Sequence, residues 1–447
     1  MTTASSRQQA YTLVVGLGAT GMSVVKYLRA LGEAVVVVDS RVQPPRLSEL
    51  QQFYADVPVH CGEFNAAMFE QARRIVLSPG VPLSTPALQQ AKQAGIEITG
   101  DIDLFAHEVA APVIGITGSN GKSTVTALLN DMALRAGMRV AMGGNIGTPV
   151  LDLLADDNQL YVLELSSFQL ETMHALQLEA GVVLNITADH MDRYADFASY
   201  AQSKHALYRH TRNWVVNRDD AVASAPPFAA SHVTGFTLRT PKQTEFGVCT
   251  DQSEDWLCFG TEKLLRVSEV RIRGRHNVAN ALAALALGQT VGLDMNAMLD
   301  SLREFAGLAH RTQWVAEKNG VNWYNDSKAT NVGAALAAIT GLPGRHVLIA
   351  GGEGKGADFT ALGEVAAAHL RAVVLIGRDA GLIEKAFGDS VACVHAADMK
   401  AAVIQAAALA QPGDNVLLSP ACASFDMFNN FEHRGDVFMH EVRELLA

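Results

Sequence analysis

The stretch Pro112-Val113-Ile114-Gly115-Ile116-Thr117-Gly118-Ser119-Asn120-Gly121-Lys122-Ser123-Thr124 is an apolar strand that turns through a glycine loop into a helix. This order reads as a phosphate-binding loop. Gly118 and Gly121 let backbone N–H groups turn inward on an anion, the helix beginning near Lys122 adds its positive end, and Lys122 supplies a mobile charge. Ser123 or Thr124 then offers a hydroxyl to Mg²⁺. The full Walker pattern has a glycine five residues before Gly121, where this chain has Ile116, so the loop is a shortened variant. An ordinary glycine-rich turn accounts for the glycines. It does not account for a lysine and two hydroxyls falling where a nucleotide needs them, so residues 118–124 are expected to hold a nucleotide.

Outward from this loop the chain alternates strand and helix. Upstream, apolar residues 11–15 lead into Gly16-Leu17-Gly18-Ala19-Thr20-Gly21, and after a helix-like stretch the strand 34–38 ends at Asp39. That is a βαβ unit with a GxGxxG fingerprint, and Asp39 follows Gly21 by about the 20 residues expected of a ribose-binding acid. The fingerprint fits a dinucleotide or another nucleoside diphosphate; close packing of helix on strand explains the same glycines. Downstream, residues 161–167 and 182–192 are apolar runs ending in polar residues. Buried parallel strands have this pattern, and ligands collect at their C-terminal ends, so the loop, Glu164 and His190 are expected to share one crevice. Residues 229–272 change to short alternating pieces, expected to form an antiparallel appendage. An apolar helix from 277 to 287 and a hinge over 302–309 follow. Strands at 347–350, 373–376 and 416–418 form a second Rossmann-like sheet.

The fold class is therefore α/β with three domains: a Rossmann-like domain over 1–99, a central nucleotide-binding domain over 100–308 with its antiparallel appendage, and a Rossmann-like C-terminal domain over 309–447. A length of 447 residues suits three domains of ordinary size. The net charge of -11 argues against nucleic acid or an anionic membrane as partner, so any phosphate site must be built locally. The opening nine residues are polar and no run approaches the roughly 18 apolar residues of a membrane span, which points to the cytoplasm. Five cysteines without a CxxC pair suit reduced thiols rather than a disulfide framework or zinc site, with Cys422 a buried, inert thiol.

A nucleoside triphosphate carries about four negative charges, and one like-charge pair at 4 Å costs about 4 kcal/mol at an effective dielectric of 20, so attack by a second anion needs cations between them. Lys122 and metal ions fit that need. Glu164, ending its strand, is placed as a Mg²⁺ ligand; capping the next helix is its plainer role. His190, between Asp189 and Asp192, is read equally as a ligand or as a satisfied histidine. Lys204, inside Tyr200-Ala201-Gln202-Ser203-Lys204-His205, reads from its neighbours as a solvated helix lysine. The cluster Asn325-Asp326-Ser327-Lys328-Ala329-Thr330-Asn331 precedes an Ala-rich helix and can grip an anion at its N-terminus or simply cap it. Arg311 at the hinge can close onto a phosphate or remain a surface arginine.

The shortened loop at 118–124, Glu164-Leu165-Ser166-Ser167-Phe168-Gln169, residues 185–193, Arg275-His276-Asn277-Val278-Ala279-Asn280 and Ala309-His310-Arg311 resemble the Mur ligases in order and spacing, across essentially the whole chain. Asn325-Asp326-Ser327-Lys328-Ala329-Thr330-Asn331 and Ser419-Pro420-Ala421-Cys422-Ala423-Ser424-Phe425-Asp426 are most similar to the members that add D-glutamate. The resemblance implies an ATP-dependent ligase of peptidoglycan precursor synthesis, joining D-glutamate to UDP-N-acetylmuramoyl-L-alanine through an acyl phosphate. It implies UDP contacts at Ala19, Thr20, Ser40, Arg41 and Gly80, with Asn145 also touching that substrate. ATP would lie on Gly118, Ser119, Asn120, Gly121, Lys122, Ser123 and Thr124, with Asn277 at adenine, Asp326 at ribose and Arg311 on the phosphates. Two Mg²⁺ are implied, one near Ser123 and Glu164, the other near His190 and Lys204, whose position matches a lysine that the family carbamylates. Lys122, His190 and Lys204 would be the catalytic set. Lys328, Thr330, Ser424 and Phe431 match positions holding D-glutamate, and a monomer is expected.

Three other readings stay open on the sequence. A sister ligase, including a folylpolyglutamate-type enzyme, shares the central and last domains. An NAD(P)-dependent dehydrogenase rests on Gly16, Gly18, Gly21 and Asp39 alone and leaves the second loop unexplained. A non-catalytic module would bind nucleotide without releasing phosphate.

Overall fold

The computed structural model describes residues 11–229 and 232–446; the polar opening segment read above lies outside them. Three sheets follow one another along the chain. The first has five parallel strands in the order Val59–Cys61, Val35–Asp39, Thr12–Val15, Arg74–Leu77, Glu97–Thr99. The chain order reverses on either side of Thr12–Val15, so its C-terminal end is the switch point at which open α/β sheets bind ligands. Two of the three fingerprint glycines, Gly16 and Gly21, are explained by packing there, whereas a side chain at Gly18 would meet open space. A Cβ on Gly21 would lie 1.9 Å from the Gly16 carbonyl oxygen, and Gly16 itself has φ +96°.

The central sheet has nine strands, running from Glu262–Arg266 at one edge through Leu178–Val183, Val113–Thr117 and Leu160–Glu164 to Val140–Gly144 at the other. Every residue of Val113–Thr117 and Leu160–Glu164 is buried, the reason both read as unbroken apolar runs rather than alternations. Helices Lys122–Arg135 and Arg275–Thr290 cover one face, with Leu128, Leu129 and Leu282 fully buried against Ile114 and Val162. The antiparallel pieces expected between 229 and 272 continue this sheet rather than standing apart from it. Glu245–Asp251 pairs in parallel with His232–Phe236, and Glu254–Phe259 and Glu262–Arg266 add antiparallel strands. Phe246, Leu257 and Leu265 thereby join the central core.

Two of the cysteines read above as separate thiols meet in the fold. A tight hairpin sets Cys249 opposite Trp256, which brings Cys258 two residues along on the same face, and the structure pairs Cys249 with Cys258. Sequence spacing hid this because strand pairing, not a CxxC turn, makes the contact.

The last sheet runs Gln313–Lys318, Val321–Asn325, Asn415–Leu418, His346–Gly351, Leu370–Ile376, Ala392–His395, with only the first strand antiparallel. Helix Val332–Gly341 leaves the end of Val321–Asn325 and directs its N-terminus toward the phosphate loop. A Cβ on Gly333 would fall 2.7 Å from Thr187 Oγ1. The last domain is thus closed onto the central one.

Candidate active site

The loop after Val113–Thr117 takes the conformation its glycines permit: Gly118 has φ +147° and Gly121 φ +86°. Both are also crowded. A Cβ on Gly121 would meet Asn280 Oδ1 at 2.5 Å. Asn185 clamps the loop from the next strand end, accepting from the Asn120 N–H at 2.8 Å and donating to the Asn120 carbonyl at 2.9 Å. Ser119 donates to the Thr187 carbonyl, while its hydroxyl shares a 2.9 Å bond with Tyr200. Lys122 Nζ turns back onto the Gly118 and Ser119 carbonyls at 2.8 and 2.9 Å. Burial pushes its pKa down.

Four segments meet just behind Lys122. Ser123 donates to Glu164 Oε2 at 2.6 Å, Asn145 Nδ2 donates to Glu164 Oε1 at 2.7 Å, and Arg311 Nη2 donates to Ser123 Oγ at 2.6 Å. Glu164 is 3% exposed. His310 and Thr312 both adopt left-handed backbone, φ +61° and +45°, and this double bend aims Arg311 between them. Desolvation holds the Arg311 pKa below its ordinary value.

Asn120, Gly121, Thr124, Asn277, Arg311, Asp326 and Lys328 line one cleft of about 180 Å³ between the central and last domains. Asp326 is its buried acid, accepting from the Thr312 N–H at 3.0 Å and Ser419 Oγ at 2.8 Å. Burial raises its pKa to about 7, against those two bonds. Asn277 Nδ2 donates to the Arg273 carbonyl and its Oδ1 accepts from Asn280. The sequence reading quoted Asn185, Asn280 and Ser419 within its motifs but gave them no role, and it passed over Thr312, the residue after Arg311.

Lys204 overturns the reading made from its neighbours. It is 2% exposed, on the inward face of helix Phe197–Arg209, and donates to the Gly118 carbonyl at 2.9 Å. Desolvation, then the neighbouring Lys122, drives its pKa well below the ordinary lysine value. His190 has φ +57°, its N–H donates to Asp189 Oδ1 at 3.0 Å, and its ring sits edge-on to Phe168 at 5.0 Å. Burial, with help from Lys204 and Lys122, lowers its pKa and favours the neutral imidazole. Among the described residues no three His, Cys, Asp or Glu side chains gather as a metal cluster. An ion here must combine Glu164 or His190 with a hydroxyl, a modified lysine or substrate oxygens.

Ala19, Thr20, Ser40, Arg41 and Gly80 stand at the C-terminal edge of the first sheet, away from the cleft. Arg193 bridges the two regions: its guanidinium stacks 4.1 Å over Phe168 and donates to the Gly80 carbonyl at 3.4 Å. Asp39 does not present itself to a ribose. One oxygen accepts from the Leu17 N–H at 2.7 Å and both are taken by Arg41, so the acid braces the glycine loop. In the last domain Lys328 Nζ lies 3.9 Å over the Phe431 ring, and the Thr330 N–H donates to the Lys328 carbonyl. Buried Arg434, missed by sequence reading, donates to Ser327 Oγ and to the Ser327 and Cys422 carbonyls. It ties the 325–331 turn to the loop holding Ser424, which is 3% exposed. Lys355, also passed over, puts its ammonium 5.7 Å over Phe425 beside Ser424. Cys422 is fully buried, with its thiol pushed up to about 12, as an inert thiol requires.

Family models match all three parts of the chain: Mur ligase MurD-like, N-terminal domain, over residues 10–100; Mur ligase middle domain over 116–288; and Mur ligase, glutamate ligase domain, over 310–422. A UDP-N-acetylmuramoylalanine--D-glutamate ligase from Pseudomonas aeruginosa is 56% identical over 441 residues, 97% of this chain and 98% of its own. Its namesake from Pseudomonas putida is 54% identical over 432 residues, 96% of each. The solved pseudomurein peptide ligase type C from Methanothermus fervidus shares the fold, with a TM-score of 0.62 at 16% identity over 98% of this chain and 100% of that one. With matching models over each of its three sheets and relatives aligned nearly end to end, the chain belongs to the Mur ligase family.

Proposed function

We infer that the protein joins D-glutamate to UDP-N-acetylmuramoyl-L-alanine, driven by ATP, in peptidoglycan precursor synthesis. The names of relatives above 50% identity support the substrates. The observation that carries the chemistry is the set of cations gathered at the glycine loop. Lys122, Arg311 and Lys328 all have pKa values lowered by burial, and both lysines also feel a neighbouring cation. A site that crowds positive charge in this way favours a polyphosphate.

In this reading the alanyl carboxylate attacks the γ-phosphorus, the bond to ADP breaks, and an acyl phosphate forms. The D-glutamate amine then attacks the acyl carbon; the tetrahedral intermediate collapses to the amide with loss of phosphate and of the amine proton. Lys122 and Arg311 face the phosphates and hold charge that builds on their oxygens. Asp326 accepts from the ribose, and Asn277 frames the base. Asn145, bonded to Glu164, would orient the alanyl end of the nucleotide substrate. Lys328, Lys355 and the Ser424 loop form a shelf for a dicarboxylate amino acid, with Phe431 beneath Lys328. Closure of the last domain excludes water that would hydrolyse the acyl phosphate.

The donor set fits magnesium. Glu164 offers a buried carboxylate already bridged to the Ser123 hydroxyl, and neutral His190 with a carbamate on Lys204 offers a second pair. Bound there, magnesium would neutralise phosphate oxygens and make phosphorus and acyl carbon more electrophilic. The same reading has a monomer acting in the cytoplasm. None of the described helices is long and apolar enough to cross a membrane.

Phosphate release from ATP and Mg²⁺ with UDP-N-acetylmuramoyl-L-alanine tests it, comparing D-glutamate, L-glutamate, L-alanine and no amino acid. Release that depends on D-glutamate is expected. Release with another amino acid keeps the ligase chemistry and changes the substrate; none with any overturns the reading.

A further inference from the structure

The first domain meets the site through Arg193, and the last domain reaches the His190 turn through Asn331. Asn331 caps helix Val332–Gly341 with its oxygen, accepting from the Ala334 N–H at 2.8 Å, and its Nδ2 crosses the domain boundary to Asp189 Oδ2 at 3.1 Å. The other oxygen of Asp189 accepts the His190 N–H at 3.0 Å. Asp189 thus accepts one hydrogen bond from each domain, and its Oδ2 also stands 3.8 Å from the His190 ring Nε2. His190 holds a left-handed backbone, φ +57°, uncommon for a non-glycine residue although histidine adopts it more readily than most, and two hydrogen bonds of its turn hold it there. The Arg193 N–H closes the same turn onto the His190 carbonyl at 2.9 Å.

We propose that Asn331 and Asp189 form a closure latch: docking of the last domain, which bears Lys328 and Thr330 just upstream of Asn331, completes the hydrogen bonding that sets His190. Asn331 is then a positioning residue for the ligation step, acting through Asp189, and it rests on the ligase reading above. The latch makes the order of events chemical. Until the segment that holds the amino acid has seated, Asp189 lacks one of its two donors and the His190 turn is held from one side only. Thr187, just before Asp189 and His190, meets Gly333 at the same boundary, so the contact is part of the docked surface rather than a stray surface bond.

A residue swap tests the latch without removing the helix cap, because Asp and Asn are both strong N-caps. In Asn331→Asp two carboxylates face each other. In Asp189→Asn one oxygen must serve two donors. In the double variant the new amide at position 189 can accept from the His190 N–H and donate to the new carboxylate at position 331. That carboxylate still caps the helix, so the network is rebuilt in mirror form. The assays are kcat, KM for each substrate, and the radius of gyration by small-angle scattering with ATP analogue and both substrates. We expect each single variant to lower kcat about tenfold, the scale of coupling between contacting polar pairs. KM for the UDP substrate stays near the wild-type value, compaction is weakened, and the swap recovers most of both losses. Asn331→Ser, which keeps a cap without the reach or the charge, should resemble the single variants. Single variants that turn over and compact like wild type, or losses that simply add in the double variant, would overturn the latch. Wild-type enzyme that releases no phosphate on D-glutamate addition overturns instead the ligase reading.

Discussion

Arg311 Nη2 donates to Ser123 Oγ at 2.6 Å, joining residues 188 apart in sequence and on different domains. The same hydroxyl donates to Glu164, so the arginine's charge is delivered to the hydroxyl and carboxylate pair proposed for magnesium. Such a contact forms only with the last domain closed. Arg311→Ala should leave melting temperature nearly unchanged while lowering kcat by roughly 10²–10³, the scale for losing one preorganised charge-stabilising donor. Arg311→Lys should recover little, because a single ammonium cannot reproduce the planar fork. Steady-state kinetics checks both; a wild-type kcat in the alanine variant removes Arg311 from the phosphate site.

Lys204 is the residue on which neighbourhood reading and tertiary structure part furthest. Its pKa is pushed well down by burial first and Lys122 second, so the native state gives up this proton at a lower pH than the unfolded chain does. In the window between the lowered native pKa and the ordinary lysine value the unfolded chain binds more protons, so this group's contribution to stability rises with pH. A neutral buried amine is also the form that adds CO₂, giving a carbamate and releasing a proton. With ¹³C-bicarbonate and Mg²⁺, a carbamate resonance is expected in the wild type and absent in Lys204→Arg. No resonance in the wild type at pH 8 would leave Lys204 an unmodified lysine that holds the Gly118 carbonyl.

The architecture was legible because its elements are of the kind that local sequence encodes. Buried parallel strands such as Val113–Thr117 are unbroken apolar runs, and glycines with positive φ punctuate the loops after them. The phosphate loop, Glu164, Arg311 and Asp326 were legible for a related reason: each ends a strand or opens a turn. Contacts made by folding were not. Nothing beside Lys204 shows that its helix face points inward, and nothing near Asp39 shows that Arg41 and the Leu17 N–H will occupy its oxygens. Arg434 stands in an ordinary amphipathic helix, yet it is 1% exposed and binds two carbonyls and a hydroxyl. The Asp189–Asn331 bond spans 142 positions, and only the closed arrangement of domains displays it.

Asp326 links nucleotide binding to pH. Its pKa is raised to about 7 by burial, so between the ordinary carboxylate value and pH 7 the native state binds more protons than the unfolded one. Its contribution to stability therefore falls as pH rises through that window. A ribose hydroxyl donating to Asp326 favours the ionised form. Nucleotide affinity should then be flat above about pH 7 and weaken by up to tenfold per pH unit below it, until the lower pKa of the bound state is reached. Asp326→Asn should flatten this profile, bind nucleotide about tenfold more weakly through loss of a charge-assisted bond, and melt no lower than wild type at pH 8. Calorimetric titration and melting curves across pH 5.5–8.5 check all three, and an unchanged profile in the variant places the titrating group elsewhere.

Gly333 separates the stability of the last domain from its docking. It lies in the first turn of helix Val332–Gly341, where alanine is the better helix former by up to about 1 kcal/mol. In the closed arrangement an added Cβ would stand 2.7 Å from Thr187 Oγ1 and 3.3 Å from Asn120 Nδ2, on the phosphate loop itself. Overpacking of this kind costs roughly 1–3 kcal/mol, and the cost falls only on the closed state. Gly333→Ala should therefore melt at or slightly above the wild-type temperature while losing roughly tenfold or more in kcat, at about 1.4 kcal/mol per factor of ten. Nucleotide binding in the open state should be little changed. Because the two effects have opposite signs, the variant distinguishes a catalytic loss caused by blocked closure from one caused by a damaged fold. A fall in both melting temperature and kcat would show instead that the glycine is needed by the helix rather than by the docked surface.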